Sequence, residues 1–233
     1  MINDNLTMLR AAITQAALQA GRNPADIKLV AVSKQVSIEG IRRAIACGQT
    51  LFGENYLQEA VAKIPHCLGV TGWHFIGHLQ SNKVAQVARF FDMVETVDRL
   101  KIAIALDKQV HLLNKNLSIL IQINVGGEKQ KSGISCDDAE NLLRQIREKT
   151  DLPVRGLMTI PPFSPDPEHS RPYYRAVRDL ARRFADRQLF SDNTNVELSM
   201  GMSGDFPVAI EEGATIIRVG TALFGTRQLK EMQ

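Results

Sequence analysis

Leu29-Val30-Ala31-Val32 runs directly into Ser33-Lys34. A continuous apolar run has no polar face to leave in water, so a strand formed here must be covered by other elements. The run proper extends from Lys28 to Ser33, and seven more follow it: Thr50 to Gly53, Trp73 to Gly77, Met93 to Val97, Ser118 to Val125, Val154 to Ile160, Val196 to Met200 and Thr215 to Val219. All are short and rich in β-branched or aromatic residues, which is the signature of strands.

Between successive runs the apolar residues change to a helical period, as in Ile38, Ile41 and Ile45, in Val84, Val87 and Phe91, and in Leu142, Leu143 and Ile146. Strands alternating with helices call for an α/β fold with a parallel sheet. Eight such units in this length favour closure into a (β/α)8 TIM barrel, which typically takes roughly 250 residues. An open doubly wound sheet is the alternative; no Gly-x-Gly-x-x-Gly follows the first run, which weakens its dinucleotide-binding form. Ahead of the first strand, Leu6, Leu9, Ile13, Ala16, Ala17 and Ala20 predict an additional N-terminal helix, with Gly21 suited to end it. The expectation is one domain over residues 1–233.

Composition excludes several classes of function. With 44% hydrophobic and 23% charged residues, the chain can bury a sizeable core and shows no sign of disorder. A net charge of +3 is too small and dispersed for nucleic acid. The Arg171 to Arg187 cluster is interleaved with Asp179 and Asp186 at helical spacing and reads as a solvated helix face. Cys47, Cys67 and Cys136 lack metal or redox spacing and read as reduced thiols of a cytoplasmic protein. No apolar run is long enough for a membrane span or signal peptide.

Chemistry gathers where strands end. Lys34 closes the first strand, and a lysine at the mouth of a barrel becomes a Schiff-base nucleophile when burial or a nearby cation lowers its pKa; taken alone, a strand-end lysine is more often just solvated, so the reading needs partners. The seventh strand runs into Ser199-Met200-Gly201-Met202-Ser203-Gly204-Asp205, and the eighth into Arg218-Val219-Gly220-Thr221. Barrels often bind phosphate after these two strands, where glycines admit backbone N–H groups. Arg218, buried on the eighth strand, should face an anionic or acceptor group, with Glu197 or Glu211 as candidate salt-bridge partners.

Three further segments look chemical: Gly53-Glu54-Asn55-Tyr56, Trp73 to His78, and Lys129 to Gly133. His74 and His78 would not share a helical face, so no metal site is expected; one of them should cap or pack the mouth. Five prolines between Pro161 and Pro172 predict a stiff loop after the sixth strand, either shielding a ligand or merely spacing the next helix.

Together these residues resemble the pyridoxal phosphate homeostasis protein family, whose members have the fold of the alanine racemase N-terminal domain. The resemblance rests on Ala31-Val32-Ser33-Lys34, Phe52-Gly53-Glu54-Asn55-Tyr56, Trp73 to Gln80 with Asn82-Lys83, Gln122-Ile123-Asn124-Val125 and Lys131-Ser132-Gly133. It continues in Gly156-Leu157-Met158, Ser199 to Ser203, and Arg218-Val219-Gly220-Thr221 with Phe224-Gly225. It implies pyridoxal 5′-phosphate (PLP) as the cofactor, held on Lys34 as a Schiff base. By the same resemblance Ser203, Gly220 and Thr221 hold the phosphate, Ser199, Met200, Gly201 and Met202 shape its loop, Arg218 faces the ring nitrogen, and Asn55 lies beside the ring. The resemblance also implies a secondary cofactor contact for Lys131. Gln35-Val36-Ser37 departs from the Thr-Lys-Pro common after the family's lysine and so lacks the second lysine sometimes found near the cofactor. Phe206-Pro207 likewise replaces polar residues after Asp205.

Two classes of function remain. One is an amino-acid racemase; the other is a carrier that holds the cofactor for intracellular PLP homeostasis, with apo PLP-dependent enzymes as acceptors and the protein itself a monomer. Racemisation needs an acid or base on each face of the substrate. In alanine racemases a tyrosine from a separate C-terminal domain serves the second face, and no such domain is expected after the eighth strand. An arginine cannot readily protonate the ring, although alanine racemases work under that same constraint. The carrier is the expected function and no catalytic residues are assigned. A sugar-phosphate aldolase using Lys34 is a remoter reading that would need no aromatic cofactor.

Overall fold

A computed structural model describes residues 1–128 and 130–225. The eight expected strands are present as β1 (Lys28–Val32), β2 (Leu51–Glu54), β3 (Gly72–Phe75), β4 (Met93–Val97), β5 (Ser118–Ile123), β6 (Val154–Thr159), β7 (Glu197–Ser199) and β8 (Ile216–Val219). They hydrogen-bond in chain order, and all pairings are parallel. The ring closes where Val30 pairs with Arg218 and Ala31 with Val219. Closure excludes the open sheet and establishes the TIM barrel.

The fifth run stops short of its expected end at Val125. Asn124 leaves the strand because its side chain closes the following turn, donating to the Glu128 carbonyl at 2.9 Å and accepting from the Glu128 amide at 3.2 Å. That local bond competes with the ladder.

Helices cover the barrel: α2 (Ile38–Ala46), α3 (Leu57–Lys63), α4 (Val84–Phe90), α5 (Leu100–Leu113), α6 (Ala139–Lys149), α7 (Arg171–Asp186), α8 (Phe206–Glu211) and the single turn α9 (Thr221–Phe224). The expected extra helix is α1 (Ile2–Gln19), which buries Leu6, Leu9, Ile13, Ala16 and Ala17 against α8, α9 and α2. Gly21, at φ +66°, follows its end, and Arg22 fixes the turn by donating to the carbonyls of Ile210 and Ala214 at 2.8 and 2.7 Å. No helix among the described residues is long and apolar enough to cross a membrane.

Strand residues divide between two apolar layers, as alternation requires. Outward ones such as Ala31, Phe52, Val94, Ile121 and Ile217 form the main core with the helices. Val30, Met93, Leu120, Met158 and Ile216 form a smaller cluster inside the barrel. Arg171 to Arg187 only partly fits the solvated face expected of it. Arg171, Arg175 and Arg178 converge on the buried Glu212 carboxylate at 3.1, 3.0 and 2.7 Å, pinning α7 to the end of α8.

Candidate cofactor site at the barrel mouth

Because every strand points the same way, the residues just after their C-terminal ends share one rim. Lys34 stands there, half-buried, with Nζ 5.2 Å from the centre of the Tyr56 ring. The backbone on each side of it is clamped. Ser33 donates through Oγ to Glu54 Oε1 at 2.7 Å and through its amide to the Gly53 carbonyl at 3.0 Å. The Gln35 amide donates to Glu59 Oε2 at 2.7 Å, holding Gln35 at φ +61°, a conformation uncommon for a residue with a side chain. Lys63 ties the clamp together, donating to the Ser33 carbonyl, Glu54 and Glu59 at 2.8, 2.9 and 2.6 Å.

Burial pushes the Glu54 carboxyl above its ordinary range, against the pull of Lys63 and Ser33. Burial would also raise Glu59, but hydrogen bonds from Lys63 and the Gln35 amide bring it below its usual value. The next residue along from Glu54, Asn55, presses its carbonyl against Gly77. A Cβ on Gly77 would lie 2.0 Å from that oxygen, so only glycine lets the ends of β2 and β3 approach this closely.

The two loops expected to hold phosphate lie across the closing strand pair from Lys34. Gly201 begins the first at φ +94°, and a side chain there would meet Ala209 Cβ at 2.6 Å. Asp205 then folds the loop on itself: Oδ1 accepts from the Met202 amide at 2.7 Å, while Oδ2 accepts from Tyr174 and Ser170 at 2.6 and 3.1 Å. Ser203 Oγ accepts from the Ala222 amide at 3.4 Å, joining this loop to the one after β8. Among the described residues the amides of Ser203, Gly204 and Thr221 have no acceptor, and nothing lies within 4 Å of where a Gly204 side chain would be. Met200, by contrast, is fully buried in the core, so only its backbone belongs to the loop.

Arg218 turns into the barrel. Its guanidinium donates to Ser199 Oγ at 2.5 Å and to the Thr159 carbonyl at 2.8 Å. The carboxylate it faces belongs to neither Glu197 nor Glu211, which pair with Lys28 and Arg171. It is Glu95, on β4, at 3.9 Å. Sequence reading missed Glu95, although a Glu in the middle of an apolar strand is a visible anomaly; it also missed Lys63, Ser170 and Tyr174, which carry no local signal.

The two histidines part company. His74 is buried inside the barrel with Nδ1 2.6 Å from Glu95, whereas His78 is at the rim beside Ser132 Oγ at 3.0 Å. Lys131 pairs with Glu128 and donates to the Pro161 carbonyl at 3.1 Å, bridging the loops after β5 and β6. Lys129 lies outside the described residues.

One rim thus offers a clamped amine, a pair of loops with free amides and hydroxyls, and a buried guanidinium. Unpaired donors converging in the Ser203 and Thr221 loops fit an anion such as a phosphate monoester, and Arg218 fits an acceptor atom such as a ring nitrogen. These residues therefore suit PLP.

Comparison with known proteins gives the same picture. Residues 5–228 match the family described as alanine racemase, N-terminal domain. The chain is 45% identical over 230 residues to the pyridoxal phosphate homeostasis protein of Escherichia coli K12, covering 97% of each. It is 42% identical over 231 residues to the protein of the same name in Vibrio cholerae, covering 97% of this chain and 96% of the other. The structure of PipY from Synechococcus elongatus PCC7942 with PLP bound superposes with a TM-score of 0.83 at 34% identity, covering 97% of this chain and 100% of that one. The chain belongs to the alanine racemase N-terminal domain family and, within it, to the pyridoxal phosphate homeostasis proteins.

Proposed function

We propose that this protein binds PLP at the barrel mouth, retains it through Lys34, and releases it to apo PLP-dependent enzymes, so that it serves PLP homeostasis without turning over a substrate. The observation that carries the reading is the juxtaposition of clamped Lys34 with the free amides of the Ser203 and Thr221 loops across β1 and β8. Bound PLP supplies an electrophilic aldehyde on a pyridine ring with an anionic phosphate. Lys34 is the amine that meets the aldehyde. Its neighbours Ser33 and Gln35 fix where that amine emerges, and its half-buried position leaves it reachable from solvent, which suits release as well as capture. Ser203, Gly204, Gly220 and Thr221 hold the phosphate with N–H and O–H donors. Asn55 borders the ring, and Gly201, Met202 and Ser199 keep the surrounding backbone in place.

Arg218 disfavours carbanion chemistry without separating the carrier from a racemase, since alanine racemases share the constraint. A guanidinium donates hydrogen bonds to a ring nitrogen but does not readily give up a proton, so the ring is kept a weak electron sink. The whole chain acts as one PLP-binding unit, as a monomer and in the cytoplasm, a setting that suits three unpaired cysteines. The test is to incubate the protein with PLP, reduce with borohydride and map the labelled peptide. Label at Lys34, and loss of the visible absorption band in Lys34→Ala, are expected. Main labelling at Lys83 or Lys131 with Lys34 unmodified would overturn the assignment.

A further inference from the structure

Glu95 is a fully buried carboxylate in a barrel interior that otherwise holds mostly apolar side chains, and burying a charge there is costly unless it is paired and hydrogen-bonded. Three strands satisfy it. His74 on β3 meets Oε1 at 2.6 Å, Ser199 on β7 donates to Oε2 at 2.5 Å, and Arg218 on β8 stands 3.9 Å from Oε2. The same Ser199 oxygen accepts from Arg218, so the hydroxyl is shared between carboxylate and guanidinium. β6 contributes the Thr159 carbonyl on the other side of Arg218. At the opposite end of the strands Glu197, the first residue of β7, pairs with the exposed Lys28 at 2.6 Å, and His74 also lines a cavity of about 680 Å³ there. Burial alone would raise the Glu95 carboxyl, but the hydrogen bond with His74, the Arg218 guanidinium and the Ser199 hydroxyl hold it below its ordinary value. It is therefore a carboxylate and the only acid whose oxygens reach Arg218 among the described residues.

We infer that Glu95 is the positioning residue for Arg218: through Ser199 it aims the guanidinium at the mouth and neutralises its charge, so that the cofactor ring faces a balanced pair and not a bare cation. The inference rests on the reading of the mouth as a PLP site, but its core, the dependence of Arg218 on Glu95, belongs to the protein alone. Without Glu95 an uncompensated cation would remain beside the ring, and a positive charge disfavours the protonated form of any group near it.

The test is a cycle of Glu95→Gln, Arg218→Gln and the double variant, read two ways. In cofactor-free protein, Glu95→Gln should lower the thermal midpoint by roughly ten degrees, since breaking a buried charge pair leaves the partner unpaired; the double variant should regain at least half of this. In PLP-loaded protein, the pH at which the visible absorption changes should fall by about one unit in Glu95→Gln and not move further when Glu95→Gln is added to Arg218→Gln. Additive effects in both readouts, or an unmoved spectrum in loaded Glu95→Gln, would overturn the inference. Should Glu95→Gln not fold, folding of the double variant supports the pairing, and failure of both assigns Glu95 to His74 instead. If the wild-type protein does not take up PLP, the functional reading fails while the cofactor-free cycle still decides whether Glu95 holds Arg218.

Discussion

Asp205 and Tyr174 share a 2.6 Å hydrogen bond that reaches from helix α7 to the loop after β7. Tyr174 is completely buried, and burial together with the charge of Asp205 pushes its hydroxyl above the usual tyrosine range, so it remains a donor. Tyr174→Phe keeps the packing and removes only this bond. A hydrogen bond to a charged group contributes about 1.5–3 kcal/mol. The expected outcome is a stability loss of that order and several-fold faster loss of PLP on gel filtration. Unchanged retention would mean that Met202 and Ser170 suffice to hold Asp205.

Ser203→Ala and Thr221→Val should each weaken retention of PLP by roughly tenfold or more, while binding of unphosphorylated pyridoxal stays nearly the same. Equilibrium titration with both ligands checks this. Parallel weakening for the two would place the phosphate elsewhere.

Lys63→Met should destabilise the protein by about 3–5 kcal/mol near neutral pH, because it strands the buried Glu54 and leaves Glu59 unpaired. Glu59, whose pKa is lowered in the fold, contributes stability above its unfolded value near 4.5, lost as pH falls. Glu54, whose pKa is raised, has the opposite sign: its contribution is present below that value and lost as pH rises through its folded pKa. The penalty of the substitution should therefore shrink in acid, as Glu54 takes up a proton first and Glu59, held lower, follows. Denaturant melts at pH 7 and near pH 4 read the difference; equal penalties would show that Lys63 acts through packing alone.

Loaded protein should not racemise alanine or serine at a metabolic rate. Enzymes commonly turn over at about 1–1000 s⁻¹, and slow nonspecific exchange should fall orders of magnitude below that. A racemase rate near 1 s⁻¹ that disappears in Lys34→Ala would restore the enzyme.

The strands were legible because each is a local apolar run; their boundaries differ from the sequence reading by a residue or two, at β5 because the Asn124 side chain captures the backbone. Barrel closure was not local: it depends on β1 meeting β8. The same gap explains Arg218. Its need for an acceptor could be read from its burial, but Glu197, at the start of the adjacent β7, pairs with Lys28 and Glu211 pairs with Arg171, whereas Glu95 reaches it across the interior from the opposite half of the chain. Lys63 and Tyr174 were missed for a related reason, since a lysine or tyrosine on a helix looks ordinary until the helix packs.

The closing pair Val30 and Arg218 has a consequence for synthesis in the cell. A ribosome adds about 5–20 residues per second and delivers the N-terminal part of a chain first. Lys34 emerges early, but its companions Ser203, Arg218 and Thr221 are among the last residues described. On the proposed site, a nascent chain carries the Lys34 amine with no pocket around it, and the loops that would retain the phosphate exist only once translation has passed β8, so that cofactor retention would report on a finished barrel.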